Sequence, residues 1–338
     1  MSRNATDSVV THRVLITGQS MVDEAMDILA KRASYRLTSS YPPTDKIVAM
    51  AKESAIDGMI AWQGQITREA LTASPNLKVV VKHGVGVDNI DVTAATELGI
   101  PVCITAEANY NSVAEHALAM MFALAKCLFA HDRRLHTGVW DKYGDMTTDL
   151  SGKRLGLVGL GRIGWRLAEV VHPLGMKVIG YDPHLPEDRV AEQVHRVNSL
   201  EVLLEESDFV SVHCAKTPET VGLIGEKAFK MMKPTAVLIN TARGGIVDES
   251  ALARALDAGM IAGAGLDCFE TEPLSPDHPL LAFQDRVIMT PHIAGDSKEA
   301  LFRTGTHAAT ILLNYLDGKE LPPGVLLNPG ALNSGTAR

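Results

Sequence analysis

The stretch RLGLVGLGRIGWRLAEVV, residues 154–171, joins an aliphatic run to an amphipathic one through Gly159-Leu160-Gly161-Arg162-Ile163-Gly164. A G-x-G-x-x-G pattern by itself arises readily by chance. Here a strand-like run leads into Gly159 and a helical run opens behind Gly161, which is the context a dinucleotide-binding turn requires. Gly159 permits the tight turn, Gly161 lets backbone approach a pyrophosphate, and Gly164 allows close packing of helix on strand. The free amides at the helix start, around Arg162 and Ile163, and the helix dipole then hold phosphate charge. The next aliphatic run, KVIGYDP at 177–183, ends at Asp182. A carboxylate there can accept hydrogen bonds from a ribose diol, which favours NAD. A 2′-phosphate would meet it as a like charge, and Pro183-His184-Leu185 offers no arginine to offset that repulsion. The competing reading of Asp182 is an ordinary strand-end turn aspartate.

Outward from this turn, short aliphatic runs alternate with amphipathic helices on both sides. One series runs from RVLITG to PVCIT, residues 13–105, and a second from RLGLVGLG to RVIMTPH, residues 154–292. The fold class is therefore α/β, with two doubly wound parallel-sheet domains. Between them Ser112 and Glu115 form a candidate capping box for one long helix over 112–135, apolar nearly all round. That helix is buried on more than one side, as a core helix or against a second subunit. After His292 a single helical pattern, 297–318, is followed by no strand, so it is expected to return to the first unit. Asp296 is the expected cap of this helix, and the Pro- and Gly-rich tail from Pro322 is expected to be poorly ordered at its end.

A chain of 338 residues suits two cores, and two domains imply a cleft. The formal charge is −8 and no long basic run occurs, so the footprint of a nucleic-acid or anionic-membrane binder is missing. A small-molecule partner fits better. Cys103, Cys127, Cys214 and Cys268 are far apart, with no zinc-like spacing, so no metal is expected and they read as buried thiols of a reducing compartment. The N-terminus lacks the apolar core of a signal peptide and ALAMMFALA, 117–125, is too short to cross a bilayer; the expected location is cytoplasmic.

Three further segments join the glycine turn: NTARGGIVDESAL at 240–252, GLDCFETEP at 265–273 and TPHIAG at 290–295. With HGVGVDNID at 83–91 and NSVAEHALAMM at 111–121, they resemble, in order and over nearly the whole chain, the D-isomer-specific 2-hydroxyacid dehydrogenases. The phosphoglycerate dehydrogenase-like branch is the most similar. The resemblance implies a discontinuous, flavodoxin-like substrate domain, 1–107 with 296–338, and a Rossmann NAD-binding domain, 108–295, with an interdomain cleft. It also implies a homodimer to which the 111–121 helix contributes.

By the same resemblance Arg243 of NTARGG binds the 2-keto and carboxylate oxygens of the substrate, a task suited to a planar guanidinium that stays charged. Glu272 pairs with His292, raising its pKa, and His292 is the acid/base. Val85 and Gly86 offer backbone amides to the substrate carboxylate, and His83 stands next to them as a candidate substrate contact or a plain strand-end histidine. Cofactor contacts fall to Cys214, Ala215, Thr217, Thr241, Ala242, Gly295 and Asp267, the last at the nicotinamide carboxamide or simply in a turn. Two departures matter. Trp62-Gln63-Gly64 stands where the phosphoglycerate branch has an arginine, with Lys82 as a partial substitute, and Ala215-Lys216 replaces a common Pro-Leu at the adenine edge. The expected function is NAD-dependent interconversion of a small D-2-hydroxy acid and its 2-keto acid, with hydroxypyruvate, glyoxylate or a phosphoglycerate-like acid as candidates. The alternative is a dinucleotide-sensing, co-repressor-like interaction protein on the same fold.

Overall fold

The computed structural model of the chain describes residues 11–186 and 193–333. The chain divides into two compact units, Met1–Asn109 with Asp296–Arg338, and Tyr110–Gly295. The first division falls two residues past 107, because the helix that opens the second unit starts at Tyr110.

In the first unit the strands are β1 (His12–Thr17), β2 (Ala33–Leu37), β3 (Gly58–Ala61), β4 (Val79–Lys82) and β5 (Val102–Cys103). They form one parallel sheet in the order β2-β1-β3-β4-β5. Alternate side chains of each strand feed opposite layers. Val14, Ile16, Ile60, Val79 and Val81 pack with Leu29 and with Leu312 of the helix Lys298–Leu316, while Leu15, Met59 and Val80 pack with Ile47, Leu71 and Ile100. The last helix is thus part of this unit's core.

The second unit holds β6 (Arg154–Val158), β7 (Lys177–Tyr181), β8 (Val194–Arg196), β9 (Phe209–Val212), β10 (Val237–Asn240), β11 (Gly263–Leu266) and β12 (Val287–Met289). Their order is β12-β11-β10-β9-β6-β7-β8, all parallel. Chain direction across the sheet reverses at β6, the switch point where such sheets gather ligands beyond their strand ends.

Three local expectations change. The helix expected over 112–135 starts at Tyr110, which places Ser112 inside the first turn rather than at a cap. It also stops at Ala125: Cys127 takes a left-handed φ of 50°, and a second helix, Leu128–His136, leaves at 59°. Ala114, Ala117, Met120 and Met121 of the first segment pack with Leu155, Leu157 and Ile239, so its apolar face is consumed by this unit's own core. The final helix is capped by Ser297, whose Oγ accepts from the Ala300 amide at 3.0 Å, and not by Asp296. The tail is tied down over its described part. Leu326 bridges Cys103, and the buried Asn328 side chain accepts from the Val102 amide at 2.7 Å and donates to Thr96 Oγ1 and the Ile100 carbonyl. It covers the exposed edge of β5, which would otherwise present unpaired backbone. The tail's end, 334–338, lies outside the described residues.

Candidate active site

Parallel register sets β10, β11 and β12 side by side, with Asn240 opposite Leu266 and Leu266 opposite Met289. The residues that follow them, Thr241-Ala242-Arg243, Asp267 and Thr290-Pro291-His292, therefore emerge together at one edge. The Arg243 loop and the Phe269–Glu272 segment approach closely at Gly244, where any Cβ would lie 1.7 Å from the Phe269 carbonyl oxygen. Only glycine fits there. Asn240, buried, fixes the loop by donating to the Arg243 carbonyl and accepting from the Ala242 amide.

Glu272 faces His292 with both oxygens, 2.9 and 3.1 Å from Nδ1. Its Oε1 also accepts from the Phe269 amide at 3.0 Å. The hydrogen bond that Nδ1 donates to Glu272 raises the His292 pKa; desolvation and Arg243 work against it, and the Glu272 charge adds to it. For Glu272, desolvation pushes upward but the His292 bond, the Phe269 amide and the charges of His292 and Arg243 together bring its pKa down. Opposite displacements are what a charge-assisted pair of the two side chains produces.

His292 holds a left-handed φ of 56°, uncommon for a side chain of its size. Asp267, 1 % exposed, explains how the turn persists. Its Oδ1 accepts from Thr290 Oγ1 at 2.6 Å and the Ile293 amide at 2.9 Å, and its Oδ2 from the Ala294 amide at 2.8 Å. The turn reading of Asp267 is thus directly visible. His116, on the helix from Tyr110, adds Nε2 at 3.0 Å from Thr290 Oγ1.

The glycine turn fits a dinucleotide. Gly159 has φ 99° and sits so near β9 that a Cβ would be 2.6 Å from the Cys214 amide nitrogen. A Cβ on Gly164 would meet the Gly159 carbonyl oxygen at 2.4 Å, whereas one on Gly161 would meet nothing within 4 Å. The first helix amides, from Arg162, have no side-chain cap and lie beside that open face. Two polar atoms along the same strand ends, Thr241 Oγ1 and His213 Nδ1, are buried without a hydrogen-bond partner among the described residues. Such orphans are costly in a finished core and expected where a polar ligand sits. Asp182 accepts from the Leu160 amide at 2.9 Å and from His184 at 3.0 Å, so it also shapes the glycine turn.

In the first unit His83 follows β4, is 7 % exposed, and has its pKa lowered to about 4 by burial and by Lys82. Val85 is 38 % exposed in the loop that Gly84 and Gly86 bound. Thr105 fixes this loop, its Oγ1 taking the Gly84 amide at 3.0 Å.

Residues 118–294 match the family model described as D-isomer specific 2-hydroxyacid dehydrogenase, NAD binding domain. The chain belongs to this family. It is 38 % identical over 305 residues to the D-3-phosphoglycerate dehydrogenase of Archaeoglobus fulgidus, covering 90 % of this chain and 57 % of that protein. It thus spans little more than half the length of that relative. It is also 38 % identical over 325 residues to the glyoxylate reductase of Aeropyrum pernix, covering 93 % and 95 % of the two chains. Among solved structures, D-lactate dehydrogenase from Aquifex aeolicus, complexed with NAD and lactic acid, superposes with a TM-score of 0.81 at 31 % identity, covering 93 % and 99 %.

The family's NAD-binding domain in this chain holds most of the residues singled out from sequence. Arg243, Glu272 and His292 share one strand-end cluster with Thr241, Ala242, Asp267 and Gly295; Gly159, Gly161, Arg162, Ile163, Gly164 and Asp182 share the glycine turn. Cys214 follows β9, and Thr217 lies in a turn closed by Thr220, whose Oγ1 accepts from the Thr217 amide at 2.7 Å and donates to the Ala215 carbonyl. Lys216 does not stay at that edge: its Nζ lies 3.1 Å from where a Gly245 Cβ would be, over the Arg243 loop. His83, Val85 and Gly86 belong to the other unit. Sequence reasoning missed three residues. The only signal for His116 is an imidazole among the mostly apolar residues of its helix. His213 directly precedes Cys214. Arg196 comes from β8, yet its guanidinium donates to the carbonyls of Asp182, Leu185 and Pro186. An arginine does stand under the ribose-side turn, supplied by the neighbouring strand.

Proposed function

We propose that the chain is an NAD-dependent dehydrogenase interconverting a small D-2-hydroxy acid and its 2-keto acid. The observation that carries this reading is the double contact of Glu272 with His292 Nδ1, in reach of the Arg243 charge. Bound NAD would supply the hydride chemistry. The remaining work belongs to the chain. Glu272 accepts a hydrogen bond from Nδ1–H, which stays on the ring, and leaves Nε2 to give its proton to the substrate's carbonyl oxygen in reduction, or to take the hydroxyl proton in oxidation. Arg243 binds the substrate's oxygens with two directed donors, and the amides at Val85 and Gly86 hold its carboxylate. Asp267 keeps His292 aimed and can still offer a lone pair to a carboxamide. The substrate domain is the unit 1–109 with 296–338 and the cofactor domain the unit 110–295.

A homodimer is supported by apolar side chains left exposed beyond the first helix: Phe129, Leu135, Trp140, Tyr143 and Met146 are 54–83 % exposed. A cytoplasmic location suits four cysteines that are all free. The relatives described above are named as dehydrogenases or reductases, and no observation favours the interaction-protein reading. The test is NADH oxidation on a panel of 2-keto acids, with the chirality of the product assigned. Turnover that His292→Ala lowers by roughly 10²-fold or more supports the proposal. Tight NADH binding without turnover of any acid refutes it.

A further inference from the structure

Glu249 opens the helix Glu249–Asp257, yet only 5 % of it is exposed. The helix does not need it as a cap, since the Asp248 side chain already accepts from the Ala251 amide at 2.8 Å. A buried carboxylate is costly unless its oxygens are occupied, and here both are engaged. Oε1 accepts from the Glu270 amide at 2.5 Å, and Oε2 lies 3.0 Å from His278 Nε2. His278 Nδ1 accepts from the Leu280 amide at 3.4 Å, so the ring proton is on Nε2 and is donated to Glu249. Glu270, itself exposed, returns the bond: its Oε1 accepts from the Glu249 amide at 3.1 Å. Burial raises the Glu249 pKa; the Glu270 amide and His278 oppose it, and the Glu270 charge adds to it. The amide that Glu249 holds belongs to the Phe269–Glu270 peptide group. That group is planar, so fixing its N–H fixes its C=O as well. It packs against the Arg243 loop at Gly244, where a Cβ would be 1.7 Å from the Phe269 oxygen and 2.6 Å from the Glu270 nitrogen. The amide of Phe269 itself donates to Glu272 Oε1 at 3.0 Å. The peptide that Glu249 grips is thus joined on one side to the Arg243 loop and on the other to the carboxylate that faces His292.

We propose that Glu249 is a positioning residue for this site: by gripping the Phe269–Glu270 peptide from the buried side, it fixes the direction from which the Glu272 carboxylate reaches His292 Nδ1. The inference rests on the dehydrogenase reading above, but its first test needs no turnover. The imidazole C2 proton of His292, identified by its absence in His292→Ala, is titrated by NMR in the full chain, Glu249→Ala and Glu249→Gln. Glu249→Ala releases the peptide, so Glu272 holds the ring less well and the His292 midpoint should move down, in the direction of Glu272→Gln and by less. Arg243 and Asp267, the other charges facing the ring, are untouched by either substitution. Glutamine keeps an oxygen for the Glu270 amide and should restore most of the midpoint. In the kinetic arm Glu249→Ala should lower kcat about tenfold while KM for NADH stays within about twofold. The same substitution in a Glu272→Gln background should cost less than about threefold, because the group it positions has lost its charge. A merely structural residue would give equal losses in both backgrounds and leave the His292 midpoint alone. Either result in a Glu249→Ala chain that urea denaturation shows to be folded refutes the proposal. Should Glu249→Ala not fold, Glu270→Ala decides, since it removes the exposed half of the reciprocal pair. There kcat should fall about threefold and the midpoint should move down; no change in either refutes the positioning role. If no 2-keto acid is turned over, the dehydrogenase reading falls, and the His292 midpoint still decides what Glu249 does.

Discussion

Replacing Glu272 with glutamine keeps the shape of the dyad and removes its charge. The ion pair spans 2.9 Å, but its side chains are 46 % and 39 % exposed, so solvent screening reduces the pair to the upper end of what surface pairs contribute, about 1 kcal/mol. The sign follows from the pair itself: Glu272 raises the His292 pKa, so Glu272→Gln lowers it. Reduction needs the imidazolium and declines as pH rises through this pKa; oxidation needs the neutral ring and rises through it. Both midpoints of kcat/KM against pH therefore move to lower pH in Glu272→Gln, by the same amount, on top of a general loss because glutamine no longer enforces the ring's tautomer. The difference between the two proteins should narrow with added salt, as a half-exposed pair requires. The assay is a pair of pH profiles, one in each direction, on cofactor-saturated enzyme. Midpoints that stay where they were, or move upward, would show that Glu272 does not set the charge on His292.

The first two glycines of the turn should separate folding from binding. Gly161→Ala meets nothing within 4 Å in the chain and should leave the urea midpoint nearly unchanged while weakening NADH about tenfold or more, read by fluorescence titration; Gly159→Ala, with φ 99° and a clash against Cys214, should lose stability as well. Asp267→Asn places an amide donor against the donors of Thr290, Ile293 and Ala294 and should cost about 2–3 kcal/mol in chemical denaturation, with kcat reduced. Asp182→Ala should raise kcat/KM with NADPH relative to NADH, since it removes a like charge above Arg196; NADPH turnover equal to NADH in the unmodified chain would overturn the cofactor argument.

Local pattern made much of this legible. Both sheets could be read because each buried parallel strand is a continuous aliphatic run, and the glycine turn because its three glycines answer to contacts only a few residues away. Arg243, Glu272 and His292 were found as separate motifs, and parallel register is what brings them to one edge. Where the reading failed, the deciding feature was one that periodicity does not carry. The break at Cys127 depends on where the second unit's core ends and solvent begins, which periodicity does not encode. Ser297 displaces Asp296 as the cap by a shift of one residue, decided by where the helix backbone turns.

By itself, then, the sequence determined two parallel α/β units, a dinucleotide turn and the chemical identities of the histidine, carboxylate and guanidinium proposed as the site. Only the tertiary structure decided that Asp267 holds the His292 turn, that Arg196 underlies Asp182, and that Glu249 is committed to the Glu270 amide and His278. The physical reason is the same in each case. A residue's type fixes what hydrogen bonds and charges it can offer, but which of them remain available to a ligand depends on partners that the fold brings from other strands.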